Sequence, residues 1–209
     1  MTSVPVRGRP AVFLDRDGTL IEERDYLCRP EDVVLLPGAA EAVCRLNRAG
    51  IAVVVVTNQS GVARGYFDLA VVGRIHRHLD RQLACSGARI DGYYVCPHHP
   101  TEGDTPWRCD CECRKPKPGL LLRAATEMGI DLSRSFMIGD KISDLQAGEK
   151  AGCLSLLVRT GYGEWVLTSH PHRAERAFSS LAAAVDFVLQ DQGLWRGNGT
   201  GRRIDPKED

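Results

Sequence analysis

The sequence predicts an α/β protein, a Rossmann-like parallel sheet wound on both faces, and three observations carry that prediction. Short apolar runs rich in β-branched residues recur along the chain, the clearest being Ile51 to Val56. Stretches with helical periodicity separate them. The first, second and fourth runs each lead into a polar residue able to do chemistry, namely Asp15, Thr57 and Asp140. Continuous apolar runs belong to strands buried on both faces, the situation of a parallel sheet between two layers of helices.

Taken in order, Ala11 to Leu14 reads as the first strand and about Gly38 to Ala49 as a helix, with Gly50 ending it. Ile51 to Val56 is the second strand, and Asp68 is a good N-cap for a helix running to Ala84. Gly92 to Val95 is a third strand, and Pro97 to Arg114, with Pro, Gly and charges but no apolar period, is a loop. Pro118 suits the first position of a helix that Gly129 closes. Phe136 to Ile138 is the fourth strand, a helix follows to about Ala151, and Leu154 to Val158 is the fifth strand. A last helix covers Ser180 to Leu189. Residues 1–190 thus read as a single domain with no separate cap, and 191–209, polar and Gly-rich, as a disordered tail.

Composition narrows the function classes. The 209 residues are 43% hydrophobic and 26% charged, enough for a real core. Twenty-seven basic residues balance 27 acidic ones, so no general field draws the chain to nucleic acid or to a membrane surface. Any anion site must be built locally. Met1 to Pro10 lacks the apolar stretch of a signal peptide, and the longest apolar run is far short of the ~20 residues of a spanning helix. The expectation is a cytoplasmic monomer acting on a small molecule.

Four of the eight cysteines, Cys96, Cys109, Cys111 and Cys113, cluster beside His98 and His99. In a reducing compartment such clustering points to metal rather than to disulfides. Cys96, His98, Cys111 and Cys113 form a four-ligand set that Zn²⁺ prefers, with no open position, so the ion would be structural. Cys28, Cys44, Cys85 and Cys153 read as small buried hydrophobes.

In a parallel sheet the carboxyl ends of the strands share one edge, and ligands bind there. Asp15, Thr57 and Asp140, with Lys115 ahead of the next helix, would therefore converge. Asp15 and Asp17 are two apart, so on an extended backbone they point the same way. One carboxylate can attack phosphorus while the other protonates the leaving oxygen. Asp140 adds an oxygen ligand for Mg²⁺, which also offsets the repulsion between carboxylates and phosphate. Lys115 offers a mobile charge and Thr57 a hydroxyl for the equatorial oxygens of the transition state. Arg114, Lys141 and Arg64 add cations suited to a substrate with more than one anionic group.

Asp15-x-Asp17-Gly18-Thr19, Thr57-Asn58-Gln59-Ser60, Arg114-Lys115-Pro116 and Gly139-Asp140-Lys141-x-x-Asp144, in that order, resemble the four motifs of the haloacid dehalogenase-like phosphatases. The resemblance covers roughly residues 10 to 165. It implies a phosphoaspartyl intermediate on Asp15, Asp17 as acid and then base, and Mg²⁺ held by the Asp15 carboxylate, the Asp17 carbonyl and Asp140. Cys-Pro-His-His-Pro ahead of Cys-x-Cys-Arg-Lys-Pro, with Thr-Asn-Gln-Ser-Gly-x-Ala-Arg upstream, is further similar to the family of D-glycero-D-manno-heptose 1,7-bisphosphate 7-phosphatases of nucleotide-activated heptose biosynthesis. That likeness places Cys111 and Cys113 as the zinc pair directly before Arg-Lys-Pro, leaving Cys109 and His99 outside. It implies catalytic roles for Thr57, Arg114 and Lys115, and substrate contacts from Glu23, Arg24, Asp25, Tyr26, Thr57, Asn58, Gln59, Ser60, Arg114, Lys115 and Lys141. The histidinol-phosphate phosphatases share the loop and the motifs and are the alternative. An alternative of another class is a non-catalytic interaction module built on the zinc loop.

Overall fold

The computed structural model describes residues 8–193. Its centre is a six-stranded sheet: β1 (Ala11–Leu14), β2 (Ala52–Asn58), β3 (Gly92–Cys96), β4 (Phe136–Gly139), β5 (Leu154–Val158) and β6 (Ala177–Phe178). Six α-helices accompany it: α1 (Ala39–Arg48), α2 (Leu69–Ala84), α3 (Gly119–Met128), α4 (Ile142–Ala151), α5 (Gly163–Ser169) and α6 (Leu181–Asp191). All pairs are parallel, in the order β3-β2-β1-β4-β5-β6.

The alternation of side chains along β1 shows how two cores arise from one apolar run. Val12 and Leu14 point to one face, where they join Val53, Val55, Phe136 and Ile138 under α1, α2 and α6. Ala11 and Phe13 point to the other, with Val54, Val56 and Met137 under α3 and α4. The chain leaves β1 toward β2 and β3, then returns to the far side of β1 as β4. The order therefore reverses between β1 and β4, and the two strand ends flank the crevice that such a reversal opens.

The strands lie where the apolar runs place them, with β2 continuing through Thr57 to Asn58. Asp68 caps α2 as expected, accepting from the Val71 N–H at 2.8 Å. Pro118, expected as the first helical residue, is instead the N-cap of α3. Gly119 opens that helix because its Cα lies against the Glu112 backbone, leaving no room for a Cβ. Sequence periodicity did not reveal α5 or β6; β6 has two residues and α5 seven, too short for a period to register. Of the expected tail, Asp191 still closes α6 and residues 194–209 lie outside the described residues.

Helix α4 carries the residues after Asp140 and packs closely on β4 and β5 through Gly148. A Cβ there would stand 2.5 Å from Met137 Cβ and run into Ser155 Oγ. Gly148→Ala should therefore destabilise the fold by about 1–3 kcal/mol through overpacking, even though alanine is the better helix former. Denaturant unfolding checks this, and a gain in stability would show that α4 can shift away from the sheet.

Candidate active site

Asp15 follows β1, Asp140 follows β4 and Thr57 lies near the end of β2, so the parallel register brings them to one edge. The Asp15 N–H donates to the Ile138 carbonyl at 3.0 Å, extending the β1–β4 ladder by one bond and fixing where the carboxylate starts. Asp15 and Thr57 open onto a cleft of about 520 Å³, also lined by Asp17, Glu23, Asp25, Tyr26, Asn58, Gln59, Ser60, Arg114, Lys115, Lys141, Asp144 and Tyr162, while Asp140 is fully buried within 4.8 Å of the Asp15 carboxylate. Thr57 donors and acceptors are ordered by Gln59, whose amide donates to Thr57 Oγ1 at 2.8 Å and to Asp17 Oδ2 at 2.9 Å.

Lys115 is the most constrained charge in this cleft. It is 3% exposed, and Nζ sits 2.8 Å from Asp15 Oδ1, 2.7 Å from Asp144 Oδ1 and 2.8 Å from the Val56 carbonyl. Three oxygens thus crowd one ammonium, the Val56 carbonyl by a hydrogen bond and the two carboxylates as ion pairs. Sequence reasoning expected a mobile charge; the structure corrects this to an immobile one. Its backbone is pinned too, because Asn58 donates to the Lys115 carbonyl and accepts from its N–H, both at 3.1 Å. Burial alone would push the Lys115 ammonium down, but Asp144 and Asp15 outweigh it and raise it. Burial likewise opposes the Asp15 carboxylate, while Lys115 and Lys141 hold it below the ordinary range. Asp15 is thus an ionised carboxylate at neutral pH.

Asp144 belongs to this site although sequence reasoning gave it no role beyond its place in the last motif. Besides pairing with Lys115, it accepts from the Lys141 N–H at 2.9 Å and so caps α4. Its signal was present: an acid three residues after the first residue of a helix start is half of a capping box.

Asp140 fits a cation. Asp15, Asp140 and Asp144 each place a carboxylate oxygen within 4.8 Å of the others. Asp140 is fully buried, and its Oδ1 has no hydrogen-bond partner. Oδ2 accepts from the Tyr162 N–H at 2.9 Å. Gly18 (φ +83°) and Gly161 (φ +54°) lie so close to this carboxylate that a Cβ at either would collide with it. Burial, then Asp15, pushes Asp140 up to about 8. A hard divalent cation would satisfy the orphan oxygen and the excess negative charge together.

The sequence-predicted residues divide as follows. Glu23 pairs with Lys141 at 2.6 Å, and Lys141 lies over the Tyr162 ring at 4.8 Å. Asp25 accepts from Tyr162 Oη at 3.4 Å. Arg24, expected to contact substrate, is turned away: it pairs with Glu22 at 2.8 Å and does not line the cleft. Arg114 lines the cleft, with Nη1 held by the His98 carbonyl at 3.1 Å. Arg64, expected among the anion contacts, pairs instead with Glu102 at 3.7 Å beside the cysteine loop. Tyr162 and Arg16, neither suspected from sequence, also line the cleft.

Cys96, His98, Cys111 and Cys113 come together beside this cleft. Cys96 Sγ is 3.6 Å from Cys111 Sγ and 3.8 Å from His98 Nδ1, while Cys113 Sγ is 3.3 Å from both Cys111 Sγ and His98 Nδ1. A tetrahedral ion with bonds of ~2.3 Å has edges of about 3.8 Å, so the four atoms fit such an ion. A hydrogen bond from Cys96 holds the Cys113 thiol down to about 5, the thiolate form a metal needs. Cys109 lies outside this set, its N–H donating to the His99 carbonyl at 3.1 Å. Of the isolated cysteines, Cys44 and Cys153 are buried as expected, whereas Cys28, in a loop, and Cys85, at the C-cap of α2, are exposed.

Comparison with known proteins agrees with this geometry. A HAD-hydrolase-like family model matches residues 112–184. The D-glycero-beta-D-manno-heptose-1,7-bisphosphate 7-phosphatase of Photorhabdus laumondii is 46% identical, covering 84% of this chain and 93% of its own. The D-glycero-D-manno-heptose-1,7-bisphosphate 7-phosphatase of Thermosynechococcus vestitus is 44% identical, covering 86% and 95%. The chain belongs to this family of HAD-like phosphatases. The crystal structure of D,D-heptose 1,7-bisphosphate phosphatase from B. bronchiseptica, complexed with magnesium and phosphate, is 38% identical with a TM-score of 0.78, covering 87% of this chain and 99% of that one. No helix among the described residues is long and apolar enough to cross a membrane.

Two expectations follow from the two clusters. Because Asp140 titrates at about 8 rather than near 4, a cation must displace a proton from it below that pH. Divalent-cation affinity should rise about tenfold per pH unit from 6 to 8 and then level, with ~1 proton released per ion at pH 7. The metal-free fold should correspondingly lose stability as pH rises from the ordinary carboxylate range toward 8, since the raised group binds its proton more tightly folded than unfolded. Calorimetric titration in buffers of different ionisation enthalpy measures both proton count and affinity, and a flat affinity would mean Asp140 is already ionised. For the second cluster, Cys113→Ser should lose bound metal and activity together while Cys109→Ser keeps both; metal content of the purified variants decides, and the opposite pattern would shift the ligand register by two.

Proposed function

We propose that the chain removes the 7-phosphate of D-glycero-D-manno-heptose 1,7-bisphosphate, leaving heptose 1-phosphate. Asp15 attacks phosphorus, the phosphorus–oxygen ester bond breaks, and Asp17 gives its proton to the departing sugar oxygen. Asp17 then takes a proton from water, which attacks phosphorylated Asp15 and frees inorganic phosphate. The Asp15 and Asp140 carboxylates and the Asp17 carbonyl would hold Mg²⁺, which supplies charge neutralisation for the equatorial phosphate oxygens. Lys115 keeps Asp15 ionised, and Thr57, its Oγ1 already accepting from Gln59, retains its own proton for a phosphate oxygen. The cysteine cluster would hold a structural Zn²⁺ that fixes the chain entering Arg114 and Lys115. Such a ligand set of free thiols suits a cytoplasmic enzyme.

The state of the charges around the leaving group carries the substrate reading. Histidinol phosphate has a cationic leaving group and calls for a free carboxylate near it. Of the three acids near the cleft, Glu23 is engaged by Lys141 at 2.6 Å and Glu112 by Lys117 at 3.1 Å, while Asp25 accepts only from the Tyr162 hydroxyl at 3.4 Å. Arg114, which could have been neutralised by Glu112, is held by a carbonyl instead and keeps its charge for the cleft. A fixed, uncompensated guanidinium matches a second phosphate, and the names of the relatives agree with that match.

Steady-state kinetics with both compounds test the reading. The bisphosphate should be the better substrate by kcat/KM, and Arg114→Ala should narrow its advantage by about ten- to a hundredfold, the worth of one hydrogen bond to a charged group. A preference for histidinol phosphate would overturn the assignment. Absence of phosphatase activity on either, and on an aryl phosphate, would favour the interaction module.

A further inference from the structure

Arg16 lies between the two working aspartates in sequence, and the proposed chemistry gives it no task. It is 1% exposed, the first among the large fully buried side chains. Enclosing a guanidinium is costly unless its charge and donors are matched. Two of its five N–H groups go to Asp17: Nε lies 3.1 Å from Oδ2 and 3.3 Å from Oδ1, and Nη2 lies 2.9 Å from Oδ1. The remaining nitrogen, Nη1, faces His76 Nε2 at 3.4 Å.

Neighbouring residues on an extended strand point apart, so this side-by-side pair requires the chain to have left the strand. It has: the Arg16 carbonyl accepts from the Leu20 and Ile21 N–H groups at 2.9 and 3.1 Å, curling the segment under itself. His76 is in turn held flat against Tyr93, ring centroids 4.2 Å apart at 15°. The Tyr93 hydroxyl donates to Asp80 Oδ1 at 2.7 Å, one helical turn beyond His76. A guanidinium cannot accept, so His76 Nε2 must, and the imidazole is neutral with its proton on Nδ1. Helix α2 and strand β3 thereby brace Arg16 from behind.

We propose that Arg16, backed by His76, is a positioning residue that fixes the side-chain direction of Asp17. The inference rests on the reading of Asp17 as the group that passes a proton to the leaving oxygen. Such a group works only within about 2.6–3.2 Å of the atom it serves, and a free aspartate side chain has two rotatable bonds with which to miss it. The planar fork takes one lone pair of each carboxyl oxygen and Gln59 a second on Oδ2 at 2.9 Å, so the proton that Asp17 passes sits on the remaining lone pair of Oδ1. Lysine, a point donor, could keep the charge but not the orientation.

The test uses the leaving-group dependence of Asp15 phosphorylation in rapid-quench experiments on the full-length, metal-loaded enzyme. A sugar phosphate leaves as a poor alkoxide and needs the proton; 2,4-dinitrophenyl phosphate does not. In Arg16→Lys, phosphorylation by the sugar bisphosphate should slow by about ten- to a hundredfold with KM little changed, while phosphorylation by the dinitrophenyl ester changes by less than about threefold. His76→Leu, which removes the acceptor behind Arg16 without adding a charge, should show the same selectivity more weakly. His76→Gln, which restores an oxygen near the Nε2 position, should recover most of the rate. If Arg16→Lys does not fold, the His76 pair carries the test alone. Equal slowing for both substrates, or no slowing, overturns the proposal. Asp17→Asn serves as the reference: if it too lacks leaving-group selectivity, the acid role of Asp17 itself fails; if it shows selectivity and the Arg16 and His76 variants do not, only the positioning claim fails.

Discussion

The site depends on one buried ammonium with three oxygens held against it. Lys115 draws together Asp15 at the end of β1, Asp144 in the first turn of α4 and the Val56 carbonyl in β2. Three elements that share no sequence neighbourhood are thereby fixed to within hydrogen-bond tolerance. Removing the ammonium would leave two buried carboxylates facing each other uncompensated, a loss of several kcal/mol. The same contact sets the chemistry, because Asp15 remains ionised in a nearly water-free position through the cations beside it. Stability and reactivity here share one interaction.

That ammonium must be delivered accurately, and the chain does so with two devices on either side of it. Asn58 clamps the Lys115 backbone from the end of β2 by two hydrogen bonds. Two residues earlier Cys113 closes the cluster with Cys96, His98 and Cys111, at the end of a loop with little apolar surface to hold itself. The His98 carbonyl also steadies Arg114. The cluster thus lies beside both cations, Lys115 against Asp15 and Arg114 in the cleft. With a formal net charge of zero, the chain builds its anion site from such local anchors and not from a general field.

Most of the scaffold was legible because β1, β2, β4 and β5 are apolar runs whose lengths match strands, and because Asp68, Gly129 and Gly50 punctuate helices in known ways. The convergence of Asp15, Thr57 and Asp140 needed nothing beyond parallel strands. The soft-ligand cluster was legible as a spacing pattern. What escaped was long-range or against type. Tyr162 reaches Asp140 through its backbone N–H, which no side-chain pattern announces. Arg16 is a fully buried guanidinium, a state that composition rules argue against, and its brace His76 is sixty residues away. Lys115 looked mobile because sequence shows a side chain's reach but not the partners that saturate it. Arg24 looked like a contact because its neighbours Glu23 and Asp25 line the cleft, yet its guanidinium is taken by Glu22 outside it.

The central claim is that Asp15, held ionised by Lys115, takes the phosphoryl group covalently. Acid-quench of enzyme mixed with substrate labelled in the phosphate to be removed, followed by proteolysis and peptide mapping, tests it most directly. The account predicts a transient acyl phosphate on the peptide containing Asp15, formed and consumed at rates compatible with turnover and missing in Asp15→Asn. Label found on another residue, or steady turnover with no labelled protein at any time together with inversion of configuration at a chiral phosphate, would contradict it.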